Sequence, residues 1–442
     1  MRTSFFTWRN LVLAVAVAIL AGTGVWLSVA RTSAPGQPSD QASPVPPPAS
    51  ADGTPQLDLQ ALPSTVRAPR PAHCGHPSLA GASGAWLPDW LDDPSRPSLI
   101  ADQASRLRLL DFFWLGLGAT PDSIVQQPDD PGASSLQTVL GEAAAANPCG
   151  WRFITISDER TPTSVLAKIL VDPAARWRNV AALAAVMASY PQADGLTLDY
   201  EYALPNTRQD LDLYSSVAHW RGLTVREEVG RITADYTEFV RELALAMHRQ
   251  HAALRVAVRV RTTDEINYQD QSDLVPFLYD YGELAKYADQ IVLMAVDFHW
   301  TTSDPGPIVT LSDLRNVLNE VRTYDIPGIR LAVESAVYGY DWTLNRAGRR
   351  LAGTKAATVT ATDIAARGWV KAGSKDGETY YGYTVGGQRH AVWFAGTGLD
   401  YLATQLRQLC PGCAVMAWAT GNTDPAGSAL VLHALSSPYT RG

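Results

Sequence analysis

Short apolar runs alternate with stretches of helical periodicity over most of the chain. The runs cover residues 84–90, 109–115, 151–156, 195–201, 254–261, 290–296, 329–334 and 414–419. Apolar runs of this length, bounded by turn residues, read as strands buried on both faces. The clearest helix lies between the fourth and fifth runs, over 233–251. There Tyr236, Phe239, Val240, Leu243 and Met247 return every three or four residues and make one apolar face. Eight strand–helix units predict an α/β fold, a (β/α)8 barrel of the TIM type. A doubly wound open sheet is the alternative, but the chain has neither a Gly-rich dinucleotide fingerprint nor a P-loop. Residues 343–400 break the alternation with Thr, Tyr, Gly and Lys in short β-like runs, such as 378–383 and 390–394. They read as a small α+β insertion after strand seven, one wall of a cleft at the barrel's C-terminal face.

Ahead of the barrel the pattern changes twice. Arg2 and Arg9 precede an apolar run over residues 11–30, long enough to cross a bilayer as a helix. It is longer than the core of most cleaved signals, yet Gly22 and Gly24 weaken its second half and Ser28-Val29-Ala30 offers a small-x-small cleavage pattern. Residues 1–31 are therefore a signal anchor or a signal peptide. Either way the basic residues stay inside and the remainder is exported, secreted or held at the membrane. Residues 32–72, with Pro44, Pro46, Pro47 and Pro48 among Ser, Ala, Gln and Gly, cannot bury a core and read as an extended or disordered linker. The folded domain is expected over 73–442. Outside the cytoplasm its four cysteines can pair. Cys410-Pro-Gly-Cys413 follows a helix and precedes a strand, which argues for a local structural disulfide over a redox motif, and leaves Cys74 and Cys149 as the second pair.

Composition sharpens this picture in two places. The chain has 442 residues, 46% of them hydrophobic and 18% charged, a globular balance. Its net charge of −8 argues against a nucleic-acid partner, and thirteen Trp supply the flat faces on which sugars stack. The chemistry lies at the end of strand four, in Asp194-Gly195-Leu196-Thr197-Leu198-Asp199-Tyr200-Glu201. Alternation puts Thr197, Asp199 and Glu201 on one face and Leu196, Leu198 and Tyr200 on the other. The apolar set meets the helices, so the acidic set points into the barrel mouth, where barrel enzymes do their chemistry. Of two closely spaced carboxyls one tends to keep its proton, as a general acid must.

This segment resembles the DGxxxDxE signature of family 18 glycoside hydrolases, the chitinase family. Further matches follow in order. Met294-Ala295-Val296-Asp297-Phe298-His299-Trp300 looks like that family's strand-six Met-x-Tyr-Asp segment, and Ser303-Asp304-Pro305-Gly306-Pro307-Ile308 comes after it. Tyr338-Gly339-Tyr340-Asp341-Trp342 follows strand seven, and Trp418-Ala419-Thr420-Gly421-Asn422-Thr423-Asp424 closes strand eight. The combination is most similar to the bacterial spore-germination-type branch, whose members act on cell-wall glycans. It covers about residues 84–435.

The resemblance implies a retaining, substrate-assisted hydrolysis of a glycan containing N-acetylhexosamine, such as peptidoglycan or a chitin-like polymer. Glu201 would protonate the glycosidic oxygen and Asp199 would orient the acetamido group that attacks the anomeric carbon. Trp418 would form the floor, with Met294, Asp297, Thr197 and His299 lining the pocket. Tyr338, Phe113 and Trp114 are further candidates, and Trp90, Trp300 and Trp342 would extend the cleft. No metal or organic cofactor is implied, and a monomer is the default. Three departures stand out. Thr197 replaces the family's first inner Asp. Val296 replaces the Tyr that donates to the acetamido oxygen, for which Tyr202, His299 or Tyr338 would have to stand in. Ile156-Ser157-Asp158-Glu159 replaces the usual Ser-x-Gly-Gly pattern. Two other readings therefore stay open: a weak or inactive barrel that binds glycan or a protein partner, and a glycosidase for a non-acetylated sugar with Asp297 as nucleophile.

Overall fold

The computed structural model describes residues 58–63, 67–74, 78–92, 98–126, 134–201, 218–219, 222–260, 278–421 and 424–436. The expected export segment and most of the linker lie outside these residues. Among the described residues no helix is long and apolar enough to cross a membrane.

The barrel begins with β1 (Ser83–Pro88) and β2 (Leu109–Leu117), against which the short β3 (Ile124–Gln126) folds back. It continues through β4 (Trp151–Ser157), β5 (Gly195–Asp199), β6 (Ala253–Arg259), β7 (Gln290–Met294) and β8 (Leu331–Ala336). The chain then builds a separate antiparallel sheet from β9 (Gly339–Thr343), β10 (Ala357–Val359), β11 (Lys371–Lys375), β12 (Glu378–Val385) and β13 (Gln388–Phe394). Finally β14 (Ala414–Trp418) returns to the barrel and pairs in parallel with both β8 and β1, while β1 also pairs with β2. Eight parallel strands thus close on themselves at the places where apolar runs stand in the sequence. The inserted sheet starts at Gly339, four residues before the sequence pattern breaks.

Alternation decides what faces inward. Leu109, Phe113, Phe153, Ala257, Val292, Ala332 and Met416 fill the barrel, while their neighbours, such as Leu110, Phe112, Ile154 and Leu196, pack outward against the helices. The helix Val225–Arg249 starts eight residues before the expected 233–251 stretch and ends two before its close, and it begins in a capping box of Thr224 with Glu227. One interior layer is polar. Asp111 and Arg255, neither of them solvent-exposed, form an ion pair. Asp111 also accepts from Thr155 (2.6 Å) and Thr197 (2.8 Å), and Arg255 donates to Gln290 (3.0 Å) and lies over the Phe153 ring.

At the other end of the strands the segment before the first strand is tied to the barrel. Arg67 donates to the carbonyls of Met187, Tyr190 and Ala193, Arg70 pairs with Asp194 at 2.8 Å, and Cys74 is joined to Cys149. Cys410 and Cys413 form the second disulfide.

The inserted sheet is locked to the barrel by Glu378. Its buried carboxyl accepts from the N–H groups of Ile308 (2.8 Å) and Val309 (2.7 Å), and burial lifts it to about 8 despite both donors. Glu378→Ala leaves two buried N–H groups without acceptors. It is expected to lower stability by about 2–3 kcal/mol in denaturant unfolding.

Candidate active site

Asp199 closes β5, and its side chain follows Thr197 onto the inner face. Gly195, two positions before Thr197, admits the close approach of β6: a Cβ there would sit 2.3 Å from the Ala253 carbonyl. The turn after β5 is held from two sides. The Glu201 N–H donates to Asp158 Oδ1 at 2.9 Å, and the Tyr279 hydroxyl donates to the Tyr200 carbonyl at 3.0 Å. Glu201 is thereby fixed at the rim, half-buried, with Oε2 3.0 Å from Nε of Arg259 at the end of β6. Asp199 is buried, and among the described residues its Oδ1 has no hydrogen-bond partner. An unpaired buried carboxyl oxygen is costly, so this atom is waiting for a donor or holding a proton. Burial, and next the charge of Glu201 and of Asp158, push the Asp199 carboxyl well above the ordinary range.

Asp297 reaches the same space by a backbone exception. It follows β7 with φ 59°, in the left-handed region, which breaks the alternation. Its Oδ1 accepts from the hydroxyls of Tyr338 (2.6 Å) and Tyr340 (3.0 Å). Burial raises Asp297 to about 6, and the two tyrosine hydrogen bonds pull against that rise. Glu334, inward on β8, is buried and is likewise held well above the usual carboxyl range, first by burial and then by Glu201.

The floor is aromatic. Trp418, half-buried at the end of β14, meets Phe113 at 5.4 Å, Trp86 at 5.5 Å and Trp90 at 6.1 Å between ring centroids, all edge-on or nearly so. Met294 packs into the same cluster. Edge contacts steady the indole while a face stays available.

The structure brings together Asp199, Glu201, Asp297, Tyr338, Met294, Trp418 and Phe113. Other candidates fall elsewhere. Thr197 spends its hydroxyl on Asp111 in the layer below. Trp114 requires correction: one position along β2 from Phe113, it points outward, fully buried among the helices, with Nε1 on the Ser134 carbonyl. His299 turns into its own loop, where its ring packs on Gly306 and meets the Asp304 carbonyl. Trp342 is fully buried and donates to the Trp300 carbonyl, so it offers no open face. Tyr202 lies outside the described residues. Sequence reasoning missed Asp111, Arg255, Arg259, Glu334 and Tyr340. The first four were legible as charges at inward positions of apolar strands. Among the described residues, the cluster with metal-ligand spacing is His73, Cys74 and Cys149, whose sulfurs are already joined.

The family model for glycosyl hydrolases family 18 matches residues 154–396, more than half of the chain. The chain belongs to this family. Among curated proteins, YdhD of Bacillus subtilis (strain 168), which carries the name of a sporulation-specific glycosylase, is 28% identical over 148 residues. That alignment covers 32% of this chain and 33% of YdhD, so the match spans a third of the relative's length. Among solved structures, the spore cortex-lytic enzyme SleL of Bacillus cereus aligns with a TM-score of 0.61 at 16% identity, over 81% of this chain and 75% of SleL. The family 18 chitinase of Cycas revoluta in complex with (GlcNAc)3 aligns with a TM-score of 0.59 at 17% identity, over 80% of this chain and 98% of that one. At such identities the structural likeness speaks for the closed eight-strand barrel alone.

Proposed function

We propose that this family 18 protein is an exported glycosidase that cleaves a glycan containing N-acetylhexosamine, peptidoglycan or a chitin-like polymer, with retention of configuration. The observation that carries the reading is the buried Oδ1 of Asp199, unpartnered among the described residues, two positions before Glu201 at the same end of the barrel strands as Trp418. An acetamido N–H is the donor that this atom lacks. Glu201 gives its proton to the glycosidic oxygen as the acetamido oxygen attacks the anomeric carbon. Asp199 then stabilises the oxazolinium cation that forms. Glu201 takes a proton from the incoming water to complete the cycle. Both protein carboxyls come from one strand because the nucleophile comes from the sugar. The basic residues and apolar run at the N-terminus support export.

Among the described residues, we assign the part of the family's Tyr, replaced here by Val296, to Tyr338, whose hydroxyl donates to Asp297 and would have to turn to the acetamido oxygen of a bound sugar. Tyr338→Phe is expected to lower kcat by about 10- to 100-fold, with KM little changed, as for loss of one transition-state donor. Steady-state kinetics on the cleaved glycan check this; an unchanged kcat assigns the donor elsewhere.

The reading is tested by mass spectrometry of products after incubation with N-acetylglucosamine oligomers and, separately, peptidoglycan. New reducing ends from the wild type alone support it. Binding without products moves the protein to the glycan-binding class. Cleavage confined to a non-acetylated sugar, lost in Asp297→Asn, makes Asp297 the nucleophile.

A further inference from the structure

Glu334 is a carboxyl that the proposed reaction does not use. It stands on the inner face of β8, two residues after the interior Ala332, and is 3% exposed. Its register neighbours are Met294 on β7 and Met416 on β14, which cannot neutralise it. The charged groups that face it are Asp199 and Glu201 from β5 and the turn beyond, Asp111 from β2, Arg255 from β6 and Asp297 after β7. Of the nearby guanidinium groups, Arg255 forms its ion pair with Asp111 and attracts Glu334 without bonding it, and Arg259 pairs with Glu201. Among the described residues no basic side chain forms an ion pair with Glu334.

Charge counting then constrains the mouth. Among the described residues, Asp158, Glu159, Asp199, Glu201, Asp297 and Glu334 lie above the Asp111–Arg255 pair, and Arg259 is paired there with Glu201. Full ionisation would crowd like charges into a space of low dielectric, so protons are retained on the most buried members. A Met or Leu at 334 would fill the same volume between two methionines at no electrostatic cost. A carboxyl there is a local conflict of the kind that marks a working site.

We propose that Glu334 is a positioning residue for the reaction at Asp199 and Glu201: a carboxyl buried on the inner face of β8 between two methionines, whose charge state governs how firmly Asp199 keeps its proton. The proposal rests on the glycosidase reading for its catalytic meaning. Protons lost from such a cluster belong to the cluster as a whole. As pH rises, ionisation of Glu334 adds a negative charge near Asp199 and hinders loss of the Asp199 proton. A glutamine cannot ionise.

In full-length Glu334→Gln the alkaline limb of kcat/KM is therefore expected to move to lower pH by about one unit, with kcat on the acid side within about twofold of wild type. Glu334→Asp should restore the wild-type limb. A purely structural role would change the unfolding midpoint and leave the limb in place. Infrared titration of the same proteins gives a readout free of activity. The protonated-carboxyl C=O signal of the wild type at neutral pH should lose one component in Glu334→Gln, and the remaining components should disappear at lower pH. An unmoved limb, or no component lost at neutral pH, overturns the proposal. A wild type that cleaves none of the glycans overturns the glycosidase reading instead, and the infrared titration still decides whether Glu334 is proton-bound and coupled to its neighbours.

Discussion

Glu201→Gln is expected to reduce glycan turnover by about 10³-fold, the scale of a lost general acid, while leaving KM within a few-fold of wild type. Glutamine keeps the length and planarity of the side chain. Its amide can still meet Arg259, and the N–H that fixes the turn on Asp158 belongs to the backbone and is untouched. The change therefore removes the transferable proton and little else. Reducing-end release and product masses measure the loss. Circular dichroism and an unchanged unfolding midpoint show that the fold survives. Asp199→Asn separates the two carboxyls: it keeps an oxygen to accept the acetamido N–H but cannot stabilise the cation by charge, so it should fall between wild type and Glu201→Gln. Wild-type turnover in Glu201→Gln would remove this strand end from the chemistry altogether.

The barrel was legible because its strands are doubly buried and so stand out as apolar runs, each ending where a loop must begin. The acidic face of β5 was legible for the same reason in reverse, since alternation left Asp199 no place but the interior. What escaped was interior residues brought together across the barrel. Asp111, Arg255 and Glu334 sit on three strands far apart in sequence, and only closure makes them neighbours. Local order also misled: Trp114 adjoins Phe113 in the chain yet lies on the other face, and Asp297 enters the site through a left-handed backbone that no periodicity predicts. The replacement of the family's inner Asp by Thr197 becomes intelligible once Asp111 is seen to reach the same layer from β2 and accept the Thr197 hydroxyl.

That layer carries the largest expected effect on stability. Asp111→Leu leaves Arg255 fully buried with Gln290 and, at 3.5 Å, the Thr197 hydroxyl as its remaining polar partners among those described, and should destabilise the protein by about 3–5 kcal/mol, the scale of a buried pair broken from one side. Arg255→Met in the same chain removes the stranded charge. The double variant should recover most of the loss, because a buried ion pair gains little over apolar side chains of similar volume. Denaturant unfolding of the four proteins gives the coupling directly. A single variant within about 1 kcal/mol of wild type would mean that water or a shifted side chain already compensates the pair. The double variant also separates support from catalysis. If it folds as well as the wild type but turns over slowly, the layer's charges act on Asp199 and Glu334 above it. If it turns over normally, the pair only fills and closes the barrel, and the acidity of the site is set by the mouth itself.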